Sequence, residues 1–294
     1  HHVRFGVLHR VMCGDSTDPK DVATLMQDAK ADMVFTDPPY NVDYSGRGKE
    51  TSEKIMNDNM SEAAFREFLK KTMENYRDFS NPNAALYCFY ASRTHREFED
   101  ALNHAGWEVK NQIIWVKAVA SMGWGDYRWK HEPMFYAHQK GSKLNFYGDR
   151  CQYTVWTEQN EHNYKHPTQK PVELVKKAIS NSSQRGEIVL DLFGGSGSTL
   201  LACDLLKRQC RTMELDPKYV DVIIERWCTF TGNDREEVTP GPNSQKNSRE
   251  TVMSENPAEH LKPYQFKPGQ SGNPAGRPPE APAELKNYTK KEIG

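Results

Sequence analysis

Four consecutive residues, Asp37-Pro38-Pro39-Tyr40, follow an apolar run, Asp32 to Phe35, that reads as a strand. Two prolines stiffen the turn and remove its backbone donors. What remains is a carboxylate, carbonyl acceptors and an aromatic ring. That set suits an exocyclic amino group on a flat ring. Asp37 and the Pro38 carbonyl would accept the two amino protons, drawing the nitrogen lone pair out of conjugation and aiming it at a methyl donor. Tyr40 would stack on the base. The alternative reading of the tetrapeptide is a rigid loop with a chance acid.

A second turn, Asp191-Leu192-Phe193-Gly194-Gly195-Ser196-Gly197-Ser198-Thr199, follows the run Ile188–Leu190 and opens a helical pattern. Glycines let backbone approach a ligand closely, and a helix start points amides at it. A phosphate-binding loop would need a lysine that is missing here. A dinucleotide fingerprint started at Gly195 places Leu200 where glycine or alanine belongs. About twenty residues on, Glu214 ends the next apolar run, where a carboxylate can accept from two ribose hydroxyls. A nucleoside without phosphates is the natural ligand, and S-adenosylmethionine fits, with Asp15 facing its adenine. The turn that begins at Asp191 and the acid Glu214 then form the cofactor side.

The elements that position these turns alternate. Strand-like runs end in acids four times, at Asp15, Asp37, Asp191 and Glu214, and Ala85–Tyr90 is a fifth run. Helical patterns fill the gaps at 22–28, 61–76, 94–105, 171–181, 198–206 and 217–227, with Ser61 as an N-cap and Pro171 and Pro217 in first turns. This order predicts an α/β fold, doubly wound around a largely parallel sheet. Ligands of such sheets sit outside the carboxyl ends of the strands, so four acids from four strands would share one crevice.

The chain has 294 residues, 39 of them basic and 40 acidic, which excludes a histone-like polycation but not a local basic surface. No run approaches the roughly 18 apolar residues of a membrane span. The six cysteines are scattered singly, so no metal site or disulfide scaffold is indicated and a reducing cytoplasm fits. From about residue 233 the chain turns rich in Pro, Gly, Asn and Ser. Such composition buries too little apolar surface to offset its ordering entropy. The expected division is a catalytic domain at 1–232 and a disordered, low-complexity tail at 233–294.

The motifs Cys13-Gly14-Asp15-Ser16, Asp37-Pro38-Pro39-Tyr40, His166-Pro167-Thr168-Gln169-Lys170-Pro171, Asp191–Thr199 and Glu214-Leu215-Asp216-Pro217, in this order, resemble those of the permuted, beta-type DNA amino-methyltransferases of the N4-cytosine/N6-adenine family. The resemblance covers roughly residues 8–230 and looks closest to phage-type methylases. It implies a Rossmann-like, circularly permuted methyltransferase sheet. Asp37, Pro38, Pro39 and Tyr40 match the catalytic turn, Phe193, Gly195 and Gly197 the turn around the methionine, Glu214 the ribose carboxylate and Asp15 the adenine-side acid. Thr168 and Lys170 lie in the motif that approaches the methionine carboxylate. Leu192 stands where the family usually has proline, a mild departure. The stretch near 262–280 resembles a short phage-associated module of unknown role.

An enzyme acting on a base inside double-stranded DNA must flip it out and hold the distorted duplex. Between Lys110 and Arg150 there are seven basic and three acidic residues and eight aromatics, about half of them expected in core strands. Trp124–Lys130 and Lys140–Lys143 are expected to face DNA, with Trp124, Arg128, Lys130 and Lys143 as contacts. Arg47, Lys49 and Lys54, in a glycine-rich loop just after Tyr40, are expected to clamp the flipped base. Little room is left for recognition of a long site. Asp37 favours adenine N6 over cytosine N4, because N4 enzymes of the family often carry serine there. A cytosine-C5 enzyme is disfavoured, since none of the cysteines follows a proline. Methylation of RNA or protein glutamine, and an inactive DNA-binding relic, are weaker readings. A homodimer and a restriction or phage partner are left open by the sequence.

Overall fold

The computed structural model describes residues 8–42, 58–120, 126–158 and 169–232. The strands are β1 (Arg10–Cys13), β2 (Ala31–Thr36), β3 (Ser80–Phe89), β4 (Trp107–Val116), β5 (His131–Gln139), β6 (Val155–Trp156), β7 (Ile188–Asp191) and β8 (Gln209–Glu214). The helices are α1 (Pro19–Met26), α2 (Glu62–Asp78), α3 (His95–His104), α4 (Val172–Ser182), α5 (Ser198–Leu206) and α6 (Pro217–Thr231).

Side chains that satisfy orphan amides start three of these helices. Ser61 accepts from the Ala64 amide, Asp18 from Lys20 and Asp216 from Lys218, with Pro19 and Pro217 in the first turns. Pro171 departs from expectation. It is the N-cap of α4 rather than a first-turn residue, because its φ of −59° suits the helix while its ψ of 135° is still extended.

The sheet runs β1-β8-β7-β2-β3-β5-β4-β6. Every neighbouring pair is parallel except the two that β5 makes, with β3 and β4. Alternate residues of a strand face opposite sides. Val34, Leu86 and Cys88 accordingly pack under α1, α2 and α3, while Met33, Phe35, Ala85, Tyr87 and Phe89 pack under α4, α5 and α6. A sheet covered on both faces needs near-continuous apolar strands, which explains why β2 and β3 stand out in the sequence. β4 does not, because Lys110, Asn111 and Gln112 are exposed in its middle. Trp115, Phe135 and Tyr136, from the stretch read partly as DNA-facing, are core residues of the β4–β5 pair.

The connections fix where a ligand can sit. β2 leads through α2 to β3 on one side, and β7 leads through α5 to β8 on the other. The neighbours β2 and β7 therefore send their chains in opposite directions and leave a crevice at their carboxyl ends.

Candidate active site

A cavity of about 520 Å³ occupies that crevice. Its wall includes Asp15, Asp37, Pro38, Pro39, Tyr40, Lys170, Asp191, Phe193, Gly195, Ser196 and Glu214, so residues far apart in sequence meet as expected. Gly197 has a different task. At φ +84° it starts α5 and lies against Ile223.

The β7–β8 half is built from backbone. The Glu214 carboxylate accepts from the Gly195 amide at 2.9 Å, from Leu215 at 2.9 Å and from Asp216 at 3.3 Å. Burial raises its pKa, and these amides oppose the rise. Asp191 accepts from the Thr199 hydroxyl at 2.6 Å and the Phe193 amide at 3.0 Å, tying the strand end to its turn. Burial pushes the Asp191 carboxyl up to about 8. Asp15 binds the amide and hydroxyl of Thr17, both at 2.8 Å. Arg226 of α6 reaches the Ser196 carbonyl at 3.0 Å and clamps the turn from outside. Gly194 was not singled out in the sequence, yet a Cβ there would lie 2.5 Å from Thr212 Oγ1. The turn can pass over β8 because position 194 has no side chain.

The β2 half is built from side chains. The Tyr40 hydroxyl donates to Asp37 Oδ1, and its ring packs edge-on against Phe98. Burial, then the Asp37 charge, raise the Tyr40 pKa well above its ordinary value. Lys170 turns its side chain to this half. Its ammonium lies 2.6 Å from Asp37 Oδ2 and 2.9 Å from Glu132 Oε2, above the Phe89 ring. It braces the Asp37 turn. The backbone of Lys170 does touch the other half, since its carbonyl accepts from Ser198 Oγ at 2.7 Å. Lys117 pairs with the second oxygen of Glu132. Glu132, Lys117 and His131, which went unrecognised, line the cavity together with Trp129, from the stretch expected to face DNA. Lys117 follows the end of β4, whereas Trp129, His131 and Glu132 reach the same edge because β5 runs backwards, and nothing in the sequence announces that reversal.

Beyond Tyr40, Asn41 adopts φ +57° and grips Met60 twice, donating to its carbonyl at 3.0 Å and accepting from its amide at 2.6 Å. These bonds anchor the turn to the start of α2. Arg47, Lys49, Lys54, Trp124 and Thr168 lie outside the described residues. Arg128 and Lys130 are exposed on either side of Trp129, at the cavity mouth. Lys143 lies apart from these residues. β5 starts at the cavity and ends at Gln139, a run of about 27 Å at about 3.4 Å per residue. Lys143 follows that far end, away from the cavity.

The family model described as DNA methylase matches residues 31–225, and a family of unknown function matches residues 262–294. The chain is 28% identical over 240 residues to the Type II methyltransferase M2.MboI of Moraxella bovis, covering 72% of this chain and 85% of that one. The crystal structure of the M1.HpyAVI–SAM complex superposes with a TM-score of 0.58 at 27% identity, over 74% of this chain and 100% of that one. The cytosine-N4-specific PvuII DNA methyltransferase gives a TM-score of 0.60 over 79% and 90% of the chains, but at 13% identity it shares only the fold. Among the described residues no helix is long and apolar enough to cross a membrane. With the matched model spanning both halves of the cavity, this chain belongs to the N6/N4 DNA methylase family.

Proposed function

We propose that this protein methylates the exocyclic amino group of a base turned out of double-stranded DNA, with adenine N6 as the target and S-adenosylmethionine as the donor. The observation that carries this reading is the meeting of the Asp37 turn with the glycine turn and Glu214 in one cavity. The residues fit the donor. Gly195 carries no side chain at a position with nothing within 4 Å, so the turn leaves open space beside Phe193 and Glu214. Bound there, S-adenosylmethionine supplies an electrophilic methyl group. Glu214 accepts from ribose hydroxyls and Asp15 faces the adenine side.

Asp37 and the Pro38 carbonyl would accept hydrogen bonds from the target amino group, which turns its nitrogen lone pair toward the donor. Each carboxylate oxygen has two acceptor sites, so Asp37 can hold Lys170, Tyr40 and the target amine together. Tyr40 and Trp129 offer ring faces for the base. Arg128 and Lys130 meet phosphates beside the mouth, joined from the sequence by Arg47, Lys49, Lys54 and Trp124. An aspartate at position 37 supports adenine over cytosine. Tritium transfer from labelled S-adenosylmethionine to duplex DNA, followed by digestion to nucleosides, tests both levels. N6-methyladenine is expected. N4-methylcytosine would overturn the choice of base, and unlabelled DNA would overturn the function.

Residues 1–232 carry the whole transfer reaction in this reading. Every described cavity residue lies before Gly232. A chain ending there is expected to keep the parent rate. If it folds and binds cofactor but transfers nothing, the remaining 62 residues belong to the working enzyme.

A further inference from the structure

Four side chains of alternating charge cross the carboxyl edge of the sheet. Asp37 follows β2, Glu132 lies near the start of β5, and Lys117 follows β4. Lys170, just before α4, spans the first two, at 2.6 Å from Asp37 and 2.9 Å from Glu132. Its ammonium rests 4.6 Å from the centre of the Phe89 ring, at the end of the intervening β3. Since β2, β3, β5 and β4 are successive neighbours, the chain of charges steps strand by strand from the catalytic turn to Lys117.

We propose that Glu132 is a positioning residue for methyl transfer: through Lys170 it fixes where the Asp37 carboxylate points, with Lys117 as its outer anchor. The proposal rests on the reading of Asp37 as the acceptor for the target amine. A lysine has four side-chain torsions, and a single carboxylate does not fix its ammonium. Lys170 is 8% exposed and is held from two sides. Glu132 keeps the ammonium on Oδ2, so that Oδ1 keeps its direction toward Tyr40 and the amine. Without Glu132 the ammonium can slide across both Asp37 oxygens and compete with the amine for them. Buried charges of this kind are tolerated because each has a partner, and removal of one partner strands the rest.

The arrangement makes a prediction that packing alone does not. Burial by itself would lower the Lys170 pKa, while Asp37 and Glu132 together raise it above its ordinary value. Burial would likewise raise Glu132, but Lys170 and Lys117 pull it down to about 2. Tyr40, Cys88 and Asp191 are the other titratable groups that feel the Asp37 charge. Glu132→Gln leaves Lys170 with one anion against the same burial, so Lys170 gives up its proton at lower pH.

The test uses the full chain with saturating S-adenosylmethionine and duplex DNA in single-turnover mode. Glu132→Gln is expected to lower the transfer rate about tenfold or more, the scale of a misplaced acceptor, with cofactor affinity unchanged. The alkaline limb of the rate profile is expected at lower pH than in the parent. Lys117→Met, which strands no buried cation, is expected to lower the rate severalfold and decides the matter if Glu132→Gln does not fold. Parent rates and profiles in both variants overturn the proposal. So does a slower Glu132→Gln enzyme with an unshifted alkaline limb, which marks a structural role. Titration of the Lys170 ammonium by NMR, with carbon-13-labelled lysine and Lys170→Met for assignment, needs no activity. A parent that methylates no DNA but shows the Lys170 midpoint falling in Glu132→Gln refutes the functional reading and keeps the coupling. An unmoved midpoint refutes the coupling.

Discussion

The two halves of the cavity do similar jobs with different materials. On the β7–β8 side the chain presents backbone amides and bare glycines, and its acids, Asp191 and Glu214, hold that backbone in shape. On the β2 side the chain presents side chains, and charge is met by charge from Asp37 to Lys117. A backbone site is specified by conformation and close approach. A side-chain site is specified by which ions face each other. The first should fail when a Cβ is added, and the second when a charge is removed.

The largest expected effect falls on the side-chain half. Asp37→Ala should lower single-turnover methyl transfer at least a hundredfold, about 3 kcal/mol, as expected for loss of one preorganised acceptor. Cofactor affinity should stay near the parent value, because no donor of the glycine turn bonds to Asp37. The variant also strands the Lys170 ammonium against Glu132, and a modest fall in melting temperature is expected alongside. Methyl transfer close to the parent rate would remove Asp37 from the chemistry and dissolve the contrast between the halves.

The halves also differed in how far the sequence revealed them. β7, β8 and α5 could be read because apolar runs, glycines and a terminal acid follow each other within a few residues. The turn at Asp37 could be read for the same reason, being local. Lys170 was found but its partner Glu132 was not, because Glu132 sits 38 positions away on a strand of opposite sense. That strand was not recognised: Lys110, Asn111 and Gln112 interrupt the apolar pattern of β4, its neighbour. Ion pairs between distant strand ends have no local signature. Backbone turns carry theirs in glycine and proline.

Two predictions of intermediate size act on the backbone half. Gly194→Ala would put a Cβ 2.5 Å from Thr212 Oγ1 and 2.9 Å from Ile223 Cδ1, both on residues at 1% exposure with no room to yield. Overpacking of this kind costs about 1–3 kcal/mol, read as a drop of about 2–4 °C in melting temperature per kcal/mol for a domain this size. Asp191→Asn tests the role of charge in the same half. The folded Asp191 titrates at about 8, above its ordinary 3.8. The folded chain thus holds a proton that the unfolded chain releases, and this group takes stability away as pH rises from about 4 to about 8. The asparagine variant should show a flatter fall in melting temperature across that window. A slope equal to the parent's would mean that Asp191 is not the buried acid responsible.

The smallest effect is expected one residue along. Gly195 sits at φ +50°, and a Cβ built there meets nothing within 4 Å. Gly195→Ala therefore carries the cost of a left-handed alanine, about 1–2 kcal/mol, with no collision. The new methyl group would project into the space assigned to the cofactor. Stability without ligand should fall less than for Gly194→Ala, while S-adenosylmethionine affinity should fall more. The pair separates the two ways a glycine serves a backbone site: position 194 lets the turn cross β8, and position 195 keeps the cavity open. Calorimetric titration of both variants, each first checked for folding by its melting curve, reads the difference. If Gly195→Ala binds S-adenosylmethionine as tightly as the parent, the ligand does not approach this side of the turn. The cofactor half of the cavity would then have to be placed farther along β8, toward Asp216 and Tyr219, which also line it.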